Sequence, residues 1–242
     1  MARDFADKSA ARQWVWDRLS AEGVARFPFR PHGRIPNFAG AEVAAARLLD
    51  IEPWKSATAI KVNPDSPQRP LRAEALRRGI TVFVPTPRLR GGFKKLDPRH
   101  IPPDKIEEAA GLSRGGRWSR RWPPRTCPRL TPSSAAPLRS RVMGVAVARG
   151  RAAATWNSPS CASSVIRQCL SRRPVHDLQM VDSVPRDPTD QPLSVIATPT
   201  HTIRIKRLSG APPGIDWTCL SAEDLEEMPI LAELKRMTTS NA

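Results

Sequence analysis

The chain has 242 residues, 40% of them apolar, and a formal net charge of +16. At ~100–200 residues per domain this allows one domain or a small pair, and the apolar share can build a core, which excludes wholesale disorder. No apolar run reaches the ~18–20 residues of a membrane span, and the N-terminus MARDFADKSAARQW has no apolar signal core, so a soluble, cytoplasmic chain that does not engage membranes is expected.

In chain order, Lys8 to Leu19 places Ala11, Val15 and Leu19 at i, i+4 and i+8, which predicts an amphipathic helix. Trp14 and Trp16 on that helix are expected to be partly buried. Residues 26–40, RFPFRPHGRIPNFAG, read as a Pro/Gly loop. Gly40 to Leu49 predicts an Ala-rich helix. Ala57 to Val62 predicts a short strand that ends in the turn-rich NPDSPQRP. Leu71 to Arg78 predicts a helix closed by Gly79. Ile80 to Val84 is a continuous apolar run, as in a buried parallel strand, and it ends in PTPRLRGG.

Further on, Val175 to Asp182 and Leu193 to Thr198 read as strands. Residues 220–236 read as a helix opened by a Ser221-x-x-Asp224 capping box. Strands alternating with helices predict an α/β layered fold with a parallel sheet. Ligands of such sheets bind at the carboxyl ends of the strands, so loops 63–70 and 85–92 are the candidate binding loops.

Between these ordinary blocks lies an unusual one. From Trp118 to Arg173, 56 residues carry 11 Arg and no Lys, Asp or Glu. Subtracting those 11 from the net +16 leaves +5 for the rest of the chain. The block also holds Cys127, Cys161 and Cys169, three of the four cysteines, none in CxxC spacing. Soluble domains mix both signs of charge, and basic tails usually lack Trp and Cys, so the block resembles neither. The four cysteines form neither a disulfide framework nor a zinc site.

The two flanking blocks resemble the 5-formyltetrahydrofolate cyclo-ligase family, and within it the methenyltetrahydrofolate synthase domain branch. KSAARQWVWDRL, FPFRPHGRIPNFAGAEVAA, IKVNPDSP and ITVFVPTPRLRGGF carry the resemblance in residues 1–117. VHDLQMVD, LSVIATPTHTIR and PGIDW carry it in residues 175–242. Together the flanks cover roughly three quarters of the chain. The resemblance implies a single α/β domain over residues 1–242, with a three-layer, Rossmann-like parallel sheet of the cyclo-ligase/CoA-transferase type. It implies ATP-dependent conversion of 5-formyltetrahydrofolate to 5,10-methenyltetrahydrofolate, with ATP and Mg²⁺ as cofactors and a reduced folate as substrate.

On the residues, the resemblance assigns Lys8 and Arg12 to the ATP phosphates, since four-residue spacing puts both on one helix face. Lys61, Asp65, Arg88 and Arg90 sit at strand ends and are the substrate-binding candidates; Arg pairs well with the carboxylates of a folate tail. The cyclo-ligases proper place a folate-contacting Glu in the first of these loops, where this chain has Pro67 and no clear equivalent. His176 and Asp177 adjoin a strand, and a structural, hydrogen-bonded His is expected there rather than a metal or acid–base role.

The family's Gly-rich G-[KR]-G-x-G-Y-x-D turn, which cradles ATP phosphates through backbone N–H groups, should lie between the blocks. The Arg-rich block stands in its place. Joining the third base of each codon to the first two of the next gives a second reading of this block. Met143–Gly144 then forces Gly, Trp156–Asn157 forces Glu, and Trp122–Pro123 forces Ala. With free third bases, Val142 to Ala154 can read DGRRCGKGEG, and Ala154 to Arg173 can read DLEFAILRELGHPPVPVATT. The motif Tyr alone fails, because Ala152–Ala153 permits only NGC. The expectation is a frame slip over 118–173, a block disordered or misfolded as it stands, and an inactive chain. The Arg-rich block is read as a product of the frame and not as a nucleic-acid surface. The alternatives are an RNA- or polyanion-binding protein acting through that block, or a non-enzymatic folate- or nucleotide-binding protein.

Overall fold

The computed structural model describes residues 5–86, 93–112, 115–122, 131–134, 143–144, 171–181, 183–185, 193–205 and 221–227. Helix α1 spans Lys8–Ala21, opened by Asp7, whose carboxylate accepts the Ala10 N–H at 2.8 Å. Ala11, Val15 and Leu19 form its buried stripe, as their spacing predicts. That stripe packs against Val181 and Val184, with Phe5, Trp14, Val24 and Leu178 alongside. Trp14 and Trp16 are half-buried. The Trp16 indole N–H donates to the Arg34 carbonyl at 3.1 Å and holds the long loop against α1. That loop holds a two-residue antiparallel ladder, β1 (Ala25–Arg26) with β2 (Asn37–Phe38).

Helix α2 (Ala41–Leu49) starts from Gly40, which has φ +79°. A Cβ there would meet the Pro199 ring at 2.8 Å, so both the backbone conformation and the close approach require glycine. Strand β3 (Ala59–Val62), a 3-10 turn at Ser66–Gln68, α3 (Arg69–Arg77) and β4 (Thr81–Pro85) form a βαβ unit whose strands pair in parallel. Gly79, with φ +76°, turns α3 into β4, as its position past the helix predicts.

Strand β5 (Phe93–Leu96) returns antiparallel to β4, and α4 (Ile106–Gly111) packs on α3. Strand β6 (Ser119–Trp122) pairs antiparallel with β5. Strand β7 (Thr131–Ser134) pairs in parallel with β3 and gives the order β6-β5-β4-β3-β7. A second sheet holds β9 (Ser171–Pro174), β11 (Leu193–Ala197) and β12 (Thr202–Arg204), in the order β12-β11-β9. Strand β9 runs parallel to β11, and β12 antiparallel. A short ladder joins β8 (Met143–Gly144) to β10 (Met180–Val181). Helix α5 covers Ala222–Glu227; the remainder of the helix expected over 220–236 lies outside the described residues.

The fold is therefore mixed α/β, parallel at β4-β3-β7 and β9-β11 and antiparallel at the flanks. All five residues of β11 are buried, the condition under which a strand reads as an unbroken apolar run. One core gathers Leu48, Trp54, Ile60, Val62, Leu71, Val82, Leu96 and Ala109 from the first block with Val195 and Ala197 from the last.

One expected strand is corrected. Val175 to Asp182 is not a strand along its length: Asp177–Gln179 form a 3-10 turn, and only Met180–Val181 are extended. The His176 ring accepts the Leu178 N–H at 3.1 Å, and the Gln179 side chain accepts the His176 N–H at 2.8 Å. These reciprocal bonds close a turn that apolar spacing alone does not reveal.

Candidate functional site

Among the described residues, four loops lie at the carboxyl ends of parallel strands: 63–68 after β3, the segment from Thr86 after β4, Val175–Gln179 after β9, and Thr198–His201 after β11. The first is built by a residue that sequence reading did not single out. Arg72 on α3 is 1% exposed. Its Nε donates to the Ala110 carbonyl at 2.8 Å, and its Nη1 to the Asn63 and Asp65 carbonyls at 2.5 and 3.2 Å. Burial pushes the guanidinium down to about 10, against the pull of Asp65, so it stays charged at neutral pH. Gln68 completes the loop, donating to the Asp65 carboxylate at 3.2 Å and accepting the Asn63 N–H at 3.3 Å.

Of the residues singled out in the sequence, Lys61 is buried on β3, and Asp65 is half-buried four residues on, at the exit of the same strand. Lys8 and Arg12 share one turn of α1, where Arg12 Nε donates to the Lys8 carbonyl at 3.0 Å. Helix α1 packs beside the 177–179 turn after β9. Arg88 and Arg90 lie outside the described residues, as do all four cysteines.

At the β9 exit of the second sheet, Asp177 is the centre of a network. Thr198 Oγ1 and Thr200 Oγ1 each donate to its Oδ1 at 2.5 Å, and His201 Nδ1 lies 3.4 Å from the same oxygen. Burial pushes the Asp177 carboxyl up, but the bonds from Thr198, Thr200 and His201 outweigh it and hold the group below its ordinary range. His176 has a structural place: its ring caps the turn and stands edge-on to Phe38, with centroids 5.8 Å apart. Burial moves its pKa down, against Asp177, with Arg18 adding to the decrease. Phe38 and Gly40 thus bring the early loop onto the β9 and β11 exits. The Thr198–His201 cluster was missed because Thr and His carry no spacing signal and meet Asp177 only through strand order.

At the end of β9, Arg173 is 3% exposed, and its Nη1 and Nη2 have no hydrogen-bond partner. The preceding Arg172 is buried on the side of α2 and Trp54. Its Nη1 donates to the Ile51 carbonyl at 2.8 Å and its Nη2 to the Glu52 carbonyl, with the guanidinium 5.3 Å from the Trp54 ring centre. An open depression of about 530 Å³ is lined by Arg47, Asp50, Ile51, Thr202 and Arg204. Its Asp50 is already paired with Arg78 at 2.7 Å, and Arg47 Nε donates to the Pro199 carbonyl at 3.3 Å. Among the described residues no group of three His, Cys, Asp or Glu side chains stands together as a metal site, and no helix is long and apolar enough to cross a membrane.

No family model matches the chain. Curated relatives do. The chain is 33% identical over 252 aligned residues to a methenyltetrahydrofolate synthase domain-containing protein of Bos taurus, covering 96% of this chain and 63% of the relative. The protein of the same name from Mus musculus is 33% identical, over 96% of this chain and 64% of its own length. The Homo sapiens protein is 29% identical over 94% of this chain and 61% of its own length. The chain thus spans a little over three fifths of the relatives it matches. The resemblance carried by KSAARQWVWDRL, IKVNPDSP and LSVIATPTHTIR thus extends over nearly the whole chain, which is similar to the methenyltetrahydrofolate synthase domain-containing proteins.

Proposed function

We propose that this chain carries the scaffold of a 5-formyltetrahydrofolate cyclo-ligase-like protein. Its ligand is a reduced folate, and in its present form it does not perform the ATP-dependent conversion of 5-formyltetrahydrofolate to 5,10-methenyltetrahydrofolate. The observation that carries this reading is the contrast at the carboxyl edge. The β3 exit is ordered by Arg72, Asp65 and Gln68, while the β9 exit ends on an enclosed, unpartnered Arg173. Lys61 and Asp65 are the substrate-side groups, with Arg88 and Arg90 for the folate carboxylates. Lys8 and Arg12 keep the places that the resemblance gives to cations for nucleotide phosphates.

The residues present do not fit ATP and Mg²⁺. Where the resemblance requires a Gly-rich turn, the chain reads RVMGVAVARGRAAAT. Successive backbone N–H groups at such a turn neutralise phosphate charge where closely spaced glycines let the chain approach, and this stretch has Gly144 and Gly150 six residues apart, without the G-x-G-x-G spacing. The carboxylates at this edge are also committed, Asp65 to Gln68 and Asp177 to Thr198 and Thr200. No phosphoryl-transfer step is therefore derived for this chain.

The test is calorimetric titration of the full chain with 5-formyltetrahydrofolate, followed by a spectrophotometric assay for the methenyl product with ATP and Mg²⁺. Binding that weakens at least tenfold in Asp65→Asn, with no product formed, is the expected result. Product formation overturns the inactive reading; the lack of any folate binding overturns the folate reading.

A further inference from the structure

We propose that Arg173 is an out-of-frame residue in a core position built for a small, uncharged side chain, so that the frame slip extends through β9 to its last residues. Three observations carry this.

First, the position is a core position. Strand β9 lies in parallel register with β11, Arg173 opposite Ile196, and neighbouring Val175, Leu193 and Ile196 form a buried apolar cluster. Second, the side chain conflicts with that place. Its guanidinium is enclosed and Nη1 and Nη2 have no hydrogen-bond partner; Asp65 attracts the charge without bonding to it. A buried charge is tolerated when it is paired and hydrogen-bonded and is costly otherwise. Arg72 shows what this fold supplies when a buried guanidinium belongs: carbonyls of Ala110, Asn63 and Asp65 aimed at it. Arg172 is intermediate, with two carbonyl acceptors and the Trp54 face, but an unpartnered Nε.

Third, the genetic code limits what the other frame places there. The last base of the Arg173 codon joined to the first two of Pro174 gives NCC whatever the synonymous choice. NCC encodes Ser, Pro, Thr or Ala, all small and uncharged. The Arg172–Arg173 junction gives the same four residues if Arg173 is encoded by CGN. It gives Lys, Gln, Glu or a stop if Arg173 is encoded by AGR. The frame that restores the Gly-rich turn upstream thus also removes the buried charge here. These are independent requirements on one shift.

Two measurements test the proposal. The first is the coding sequence: CGN at codon 173 is expected, and AGR overturns the proposal, because the residue read across codons 172 and 173 in β9 would then be Lys, Gln, Glu or a stop. The second is urea unfolding of the full chain against Arg173→Thr, with Arg173→Met as the variant that removes charge while keeping bulk. Both are expected to raise the folded-to-unfolded ratio, Thr by at least tenfold. An unchanged or lower ratio in Arg173→Thr overturns the proposal. If the parent shows no cooperative transition, its appearance in Arg173→Thr supports the proposal, and its absence leaves the codon as the deciding result. Neither measurement involves folate or ATP, so failure here is separate from failure of the folate reading.

Discussion

Two buried arginines divide this molecule. Arg72, in the βαβ unit, donates to three carbonyls and ties α4 to the β3 exit. Arg173, on β9, is as deeply enclosed and leaves both terminal nitrogens unpartnered. The same side chain supports one region and conflicts with the other, because burial of a charge is decided by the acceptors aimed at it and not by depth. The comparison also separates an arginine that agrees with its place from one that does not.

The largest expected effect lies on the well-partnered side. Arg72→Met leaves the Asn63, Asp65 and Ala110 carbonyls without their buried donor and is expected to cost about 3–5 kcal/mol, read from urea unfolding. If it costs as little as a surface change, the contrast with Arg173 loses its meaning. Gly40→Ala comes next, at about 2–3 kcal/mol, from a left-handed backbone and a Cβ pressed on the Pro199 ring. The double variant Gly40→Ala with Pro199→Gly, which removes both ring carbons that the new Cβ would meet, should recover the packing part and keep the backbone part, which a thermal melt of the double and both single variants can resolve.

The smallest effect is a pH dependence at His176. Its pKa is lowered by burial, so the folded state binds the proton less readily than the unfolded chain. The contribution is therefore fully present above the ordinary His range of about 6.5 and is lost as pH falls through the lowered value of the folded state. His176→Asn keeps an acceptor for the Leu178 N–H and removes the titration. It is expected to flatten this part of the stability curve below about pH 6.5 while changing stability at pH 8 by only a few tenths of a kcal/mol. A parent curve and a variant curve of the same slope would show that His176 does not titrate on unfolding.

Much of the scaffold was legible in the chain. Ala11, Val15 and Leu19 announced α1 by spacing, Gly79 announced the end of α3, and the apolar run before Pro85 announced a buried strand with parallel pairing to β3. These are local signals, and they survive because the tertiary fold buries the face they mark. The site was legible only in outline. Lys61 and Asp65 could be placed at a strand exit, but nothing in LRAEALRR says that Arg72 reaches Ala110, 38 residues away.

Sequence by itself determined the α/β alternation, the loops at the strand ends, the resemblance of the flanking blocks to the methenyltetrahydrofolate synthase domain proteins, and the unusual composition of residues 118–173. Tertiary structure alone decided which buried charges have partners. It made Arg72 a clamp, gathered Thr198, Thr200 and His201 on Asp177, and enclosed Arg173 without an acceptor. Periodicity reports which face of an element is buried. Hydrogen bonds between residues far apart in sequence depend on strand order and register, which no local pattern encodes.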